Sequence, residues 1–233
     1  MLVLPNHLGL ILDGNRRWSK KHGLPVWKGH EAGAKKLEEV LEWCLQLGIK
    51  QVSVYALSIE NLLERPKLEL KQIFRIFYQY LKKWERGEAS ILDKYEVRVR
   101  FIGDLEKLPL KLRRLMGKIM QKTAHYQKKF LNLLVAYGTK FELLQTFKKL
   151  AEKFLKLGKV QISEKDLDQN LLVSLPLDLV IRTGGMCRLS NFMLLQAAYA
   201  EIYVTKTLWP DFSRRELLKA LRWFAKQKRN FGR

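Results

Sequence analysis

The sequence predicts an α/β fold, with a single domain spanning residues 1–233 and a central, mostly parallel β-sheet flanked by helices. Three observations carry this. Short apolar runs alternate with stretches of helical apolar spacing, the pattern of strands joined by crossover helices. Most of these runs read as buried strands, as in a parallel sheet covered on both faces. The chain has 233 residues and 47% hydrophobic content, enough for one sizeable core, and shows no repeat, linker or low-complexity tract.

The first strand is the apolar run that opens at Leu8 and stops at Asp13-Gly14-Asn15. In residues 29–47, Leu37, Val40, Leu41, Cys44 and Leu47 recur at helical spacing, and Gly48 stands where a helix would end. A β-rich strand over 51–57 leads into a loop of Ser58, Ile59, Glu60 and Asn61. Pro66 suits the first turn of a long helix over 67–93, whose one face carries Leu70, Ile73, Phe74, Phe77, Leu81 and Trp84. Residues 96–102 alternate as a strand that stops at Gly103-Asp104, and a basic helix is predicted over 109–129. A buried strand over 131–136 feeds an Ala-Tyr-Gly turn, and a helix over 141–157 is closed by Gly158. Ser163 and Asp166 form a helix N-cap pair. The strand at 177–181 ends at Arg182 and a Thr-Gly-Gly turn. A last strand covers 202–205, and Ser213 with Glu216 caps a helix reaching about residue 228.

There are 44 Lys+Arg residues against 23 Asp+Glu, a formal net charge of +21. Such a balance suits an anionic partner: nucleic acid, an anionic membrane surface or a polyanionic small substrate. The basic residues are spread in pairs through helical patterns, which also reads simply as solvated helix faces. No nucleic-acid module or aromatic-basic repeat is present, so a nucleic-acid partner is not expected. Cys44 and Cys187 lack metal-ligand or disulfide-framework spacing, which fits a reducing cytoplasm. Neither a signal peptide nor a spanning helix is expected.

The chemistry concentrates in residues 8–18. A buried strand delivers Asp13 into a polar loop, and in open α/β sheets ligands bind beyond the carboxyl ends of the strands. Gly14 lets the backbone turn tightly, and Arg16 and Arg17 offer forked donors matched to phosphate oxygens. One reading is a phosphate site beside a metal-binding acid. The other is an Asp-Gly turn followed by a solvated basic helix start.

This stretch resembles the signature of the cis-prenyltransferases, the undecaprenyl diphosphate synthase family. Further co-linear segments resemble that family: GH at 29–30, YALSIEN at 55–61 with Arg65-Pro66, AYG at 136–138, IRTGGMCRLSNFMLLQAAYAEIY at 181–203, LWPDF at 208–212 and RNFG at 229–232. The resemblance covers essentially the whole chain. It implies the fold of that family and successive condensation of isopentenyl diphosphate onto an allylic diphosphate such as farnesyl or geranylgeranyl diphosphate, with Mg2+. The new double bonds would be cis, and the product a precursor of a glycosyl carrier lipid. Branching condensation, terpene cyclisation and a non-catalytic scaffold subunit are the alternatives.

Residue by residue, the resemblance implies that Asp13 holds magnesium at the allylic diphosphate, with Gly14, Asn15, Arg16, Arg17, Trp18 and His30 around it. Ser58, Ile59, Glu60 and Asn61 match the loop that positions isopentenyl diphosphate, Asn61 being the residue associated with proton removal, and Arg65 belongs to the same motif. An amide is a poor base, so the role of Asn61 is positional. Arg182, Arg188, Leu189 and Ser190 match the isopentenyl diphosphate pocket, and Glu201 matches an acid that completes the magnesium site. Arg229 and Gly232 resemble a tail that reaches a partner's substrate site, which implies a homodimer. An apolar product also implies peripheral contact with a membrane.

The chain departs from the family pattern at Met186, usually glutamate, and at Cys187, often histidine, and sulfur suits magnesium poorly. The long helix is expected to line a tunnel for the growing product. Phe74, Phe77, Tyr78 and Tyr80 would shorten that product if they enter the tunnel, and are otherwise core or interface residues. The stretch KKWERGEAS is slightly longer than the bacterial pattern, a feature associated in the family with longer products.

Overall fold

The computed structural model describes residues 3–88, 91–157 and 162–228. Six strands form one sheet in the order β3-β4-β2-β1-β5-β6, and every pairing is parallel. The strands are β1 (His7–Ile11), β2 (Gln51–Ser58), β3 (Val97–Ile102), β4 (Lys129–Tyr137), β5 (Leu179–Arg182) and β6 (Glu201–Val204). Their C-terminal ends share one edge, since Ile11 pairs with both Tyr55 and Arg182.

The helices are α1 (Asn15–Lys21), α2 (Val26–Leu47), α3 (Ile59–Glu64), α4 (Lys67–Glu85), α5 (Ile91–Lys94), α6 (Leu110–Lys122), α7 (Thr139–Leu157), α8 (Glu164–Asn170) and α9 (Arg214–Phe224). Alternate strand residues face two cores. On one face Leu8, Leu10, Val52, Val54 and Leu133 pack with side chains of α2, α4, α6 and α9. On the other, Ile11, Leu134 and Val180 meet Phe192 and Met193. Among the described residues, no helix is long and apolar enough to cross a membrane.

Several element boundaries differ from the sequence expectation. The segment after β2 is not a loop but α3, because the Ser58 hydroxyl accepts the Asn61 amide at 3.0 Å and caps a helix. The long helix stops at Glu85 rather than continuing to 93. Gly87 adopts φ 76°, its amide donates to Trp84 O, and Glu88 N closes on Lys83 O, a left-handed C-terminal cap. The basic helix ends at Lys122, where the buried Thr123 hydroxyl donates to Ile119 O and accepts Val99 N. Lys129, placed in that helix from sequence, instead begins β4. The helix at 29–47 starts three residues earlier at Val26, a short helix follows Gly14, and the C-terminal helix ends at Phe224. Both N-cap pairs, Ser163 with Asp166 and Ser213 with Glu216, form capping boxes. The predicted Gly158 stop and the Arg229 to Gly232 segment lie outside the described residues.

Candidate active site

The C-terminal edge of the sheet opens into a cavity of about 650 Å³. Its mouth is polar, with Asp13, Asn61, Arg65, Arg182, Arg188 and Ser190. Its depth, between α2, α4, α6 and the sheet, is largely apolar, with Leu37, Phe77, Leu81, Phe101, Met116 and Val135.

Asp13 follows the fully buried β1 and is fixed through its backbone. Thr183 Oγ1 donates to Asp13 O at 2.7 Å, and Trp209 N donates to the same oxygen at 3.1 Å. Its carboxylate sits between two guanidinium groups: Arg17 Nη2 donates to Oδ1 and Arg182 Nη2 to Oδ2, both at 2.8 Å. The next residue must be glycine. Gly14 has φ 121°, and a Cβ there would lie 2.9 Å from Leu208 Cα.

Arg182 ends β5 with only 4% exposure. Besides Asp13 it reaches Arg188 O and Ser190 Oγ, so one buried cation joins β1 to the 188–190 loop. That loop is held in left-handed backbone at Ser190 (φ 51°) and Asn191 (φ 64°). Asn191 Nδ2 donates to Glu60 Oε1 at 2.8 Å, and the Tyr55 hydroxyl donates to Ser190 O at 3.2 Å. Burial works against the charge on Glu60, but the Asn191 bond and local hydrogen bonds hold its carboxyl below the usual range. The start of α3 is thereby tied to the loop after β5.

A second cationic group gathers on Glu69 of α4. Arg65 Nη1 donates to Glu69 Oε1 at 2.9 Å, and Arg16 Nε lies 3.8 Å from Oε2. His30 Nε2 lies 3.1 Å from Glu69 Oε1 and 3.2 Å from Arg65 Nη1. Burial and the charge of Arg65 lower the pKa of His30, which favours the neutral ring. Its Nε2 then either donates to Glu69 or accepts from Arg65.

Ten of the residues singled out from sequence line this cavity: Asp13, Asn15, His30, Ser58, Glu60, Asn61, Arg65, Arg182, Arg188 and Ser190. Others stand behind them. Arg17 braces Asp13 and also donates to Gly184 O, and Arg16 faces Glu69. Trp18 turns away to donate to Asp211 Oδ1 at 2.6 Å, and Leu189 packs with the second core. Ile59 is half-buried in the first turn of α3.

Glu201 requires a correction. It pairs with Leu179, which pairs with Leu8, at the opposite edge of the sheet from Asp13. The five residues from Leu8 to Asp13 correspond to roughly 16 Å along a strand. Within one chain Glu201 therefore cannot share a metal with Asp13.

Sequence reading missed Glu69 and Asn191, and also Glu38 of α2, which lines the cavity. Glu69 carries a legible signal, because it stands four residues after Arg65 at the start of a helix. Asn191 and Glu38 carry none, since their roles depend on α3 and α4 packed opposite them.

The carboxylate of Asp13 offers hard oxygens to a cation at the cavity mouth. Asn15 Oδ1 is no donor to such an ion, being buried against Gly33, where a Cβ would lie 2.3 Å from it. Among the described residues no cluster of three His, Cys, Asp or Glu could cage an ion. Mg2+ is commonly bound by one or two carboxylates together with substrate phosphates, and this donor set fits that mode. Met186 and Cys187 are exposed on the loop.

Residues 11–232 match the family model described as putative undecaprenyl diphosphate synthase. The chain is 43% identical to the tritrans,polycis-undecaprenyl-diphosphate synthase (geranylgeranyl-diphosphate specific) of Methanopyrus kandleri, over 99% of this chain and 85% of that one. It is 41% identical to the isoprenyl transferase of Aquifex pyrophilus, over 100% and 97%. The structure resembles lavandulyl diphosphate synthase from Lavandula x intermedia, solved with dimethylallyl diphosphate, with a TM-score of 0.90 and 32% identity over 99% of each chain.

Proposed function

Because this chain belongs to the undecaprenyl diphosphate synthase family of prenyl transferases, we propose that it condenses isopentenyl diphosphate repeatedly onto farnesyl or geranylgeranyl diphosphate to give a cis-polyprenyl diphosphate. The carrying observation is one cavity with a cationic, carboxylate-bearing mouth and an apolar depth, matched to a substrate with a diphosphate head and a hydrocarbon tail. A glycosyl carrier lipid is the destination of the product in this reading.

In each cycle the allylic carbon–oxygen bond breaks, diphosphate leaves, the isopentenyl double bond attacks the allylic carbon, and one proton is lost to form the new double bond. Arg65 and the exposed Arg188 offer forked donors to diphosphate at the mouth. Arg182 holds Asp13 and Ser190 in register. Asn61 orients the isopentenyl unit, its amide being too weak a base to keep the proton. The apolar walls keep water from the electron-deficient allylic carbon. Mg2+ would be held by Asp13 and substrate oxygens, and would supply charge neutralisation for the departing diphosphate.

Exposed Leu144 and Phe147 on α7 support a homodimer in this reading. The charge of +21 supports peripheral contact with anionic lipid, at about 1 kcal/mol for each basic residue near the surface. We place the protein in the cytoplasm, in keeping with its two free cysteines.

A second reading, branching condensation of two five-carbon units, is favoured by the likeness to lavandulyl diphosphate synthase. One experiment separates them: Mg2+ and radiolabelled isopentenyl diphosphate with dimethylallyl, farnesyl or geranylgeranyl diphosphate, followed by sizing and configuration of the products. Long cis chains from the longer primers support elongation. A single branched product from dimethylallyl diphosphate supports the second reading. No product of any kind from any of the three primers, labelled or unlabelled, overturns both and favours a non-catalytic subunit.

A further inference from the structure

One side chain in the cavity does not suit its surroundings. Glu38, on the α2 face that also presents Leu37 to the cavity, lines the depth beyond the mouth. Trp84, only 4% exposed, donates its Nε1 to Glu38 Oε1 at 3.4 Å from the far end of α4. Tyr80 stands beside them in the wall, and Lys83 Nζ lies 4.9 Å from the centre of the Tyr80 ring. Eight residues separate Glu38 from His30 at the mouth, a depth of about 12 Å along the helix. A hydrogen-bonded carboxylate and indole thus form one polar stretch in the wall of a passage otherwise lined by Leu81, Phe101, Met116 and Leu133.

We propose that Glu38 is a specificity-determining residue that limits product length by polarity rather than bulk. The inference rests on the elongation reading above. A hydrocarbon tail advancing past Glu38 must strip water from the carboxylate and offers no hydrogen bond in return. Desolvation of a charged group is among the largest penalties a protein imposes. Each added five-carbon unit, by contrast, gains only the burial of its own apolar surface. The opposition is enough to offset about one or two units of elongation. Burial already raises the pKa of Glu38, while the Trp84 hydrogen bond and the Lys83 charge pull it back, so the group is partly desolvated before any ligand enters.

The test compares wild type with Glu38→Gln and Glu38→Leu, which keep nearly the same volume, and with Glu38→Ala, which removes it. Products made from geranylgeranyl diphosphate and labelled isopentenyl diphosphate are sized. The proposal predicts that the Gln and Leu variants shift the distribution by about one or two units toward longer chains. An unchanged distribution in both, or lengthening in Glu38→Ala alone, overturns it. Binding of farnesyl, geranylgeranyl and hexaprenyl diphosphate, read by quenching of tryptophan fluorescence, requires no turnover. Wild type should stop gaining affinity before hexaprenyl while Glu38→Leu continues to gain, and parallel gains in both proteins overturn the proposal. Absence of turnover in wild type alongside this difference in binding would sink the elongation reading alone.

Discussion

Arg182 Nη2 donates to Asp13 Oδ2 at 2.8 Å from a side chain that is only 5% exposed. The carboxylate at the end of β1 is therefore held by a cation rooted in β5. The same guanidinium reaches Ser190, so it ties the two sides of the cavity mouth together. Arg182→Lys keeps the charge but loses the fork. It should lower turnover by about a hundredfold, as displaced reacting groups do, and reduce stability by about 1–3 kcal/mol. Steady-state kinetics and thermal melting check both, and wild-type kinetics in this variant would remove the bracing role.

The tie between Asn191 and Glu60 predicts a different signature. Asn191→Gly removes the amide but tolerates φ 64°. It should raise KM for isopentenyl diphosphate several-fold with a smaller effect on kcat. Asn191→Ala should show the same KM and an added loss of about 1 kcal/mol in stability, because alanine resists left-handed backbone. Equal stability of the two variants would contradict the backbone argument, and an unchanged KM in both would contradict the tie.

The rings of α4 separate into two groups. Phe77 and Tyr80 line the cavity, whereas Phe74 packs on the core outside it and Tyr78 lies under Lys111 Nζ. Phe77→Ala should lengthen the product, and Phe74→Ala should leave its length unchanged at a stability loss of about 2–4 kcal/mol. The sequence expectation grouped these rings because all recur at helical spacing. Which of them faces a ligand depends on how far α4 stands from the sheet, and no periodicity encodes that distance.

Stability should depend on pH through His7. This residue is fully buried, lies 2.7 Å from Ser53 Oγ through Nε2, and has its Nδ1 near the carbonyls of Leu175 and Pro176. Burial pushes its pKa down to about 4, against backbone hydrogen bonds and the Asp178 charge that act to raise it. The folded-state pKa is below the unfolded one, so the unfolded chain binds the extra proton first. Stability is then fully present above about pH 6.5 and declines by roughly 3 kcal/mol as pH falls through 4. Denaturant titration across this range should show that slope in wild type and a shallower one in His7→Gln. Equal slopes would exclude His7 as the source.

Legibility in the sequence followed the range of the interactions. The parallel sheet was readable because each strand is a buried run followed by a helical period. Asp13, Arg65 and Arg182 were readable because each ends or follows such an element. Several boundaries were not, three of them with a physical cause that sequence spacing hides. Ser58 caps a helix with a four-residue signal that also reads as a loop, Gly87 ends α4 eight residues before the expected stop, and Lys129 joins β4 because Val97 is there to pair with it. The placement of Glu201 failed for a similar reason, since it depends on which edge of the sheet β6 enters from. Composition and motif order do not carry that register.

The central claim is that Asp13, held between Arg17 and Arg182, serves elongation of an allylic diphosphate in this cavity. The most direct measurement is transfer of radiolabel from isopentenyl diphosphate into extractable polyprenyl product by the purified chain with Mg2+ and geranylgeranyl diphosphate, beside Asp13→Asn. The account predicts label in cis-polyprenyl chains from wild type and a loss of at least about a hundredfold in the variant with its fold intact. Equal incorporation by the two proteins, or none by wild type with any primer, would contradict it.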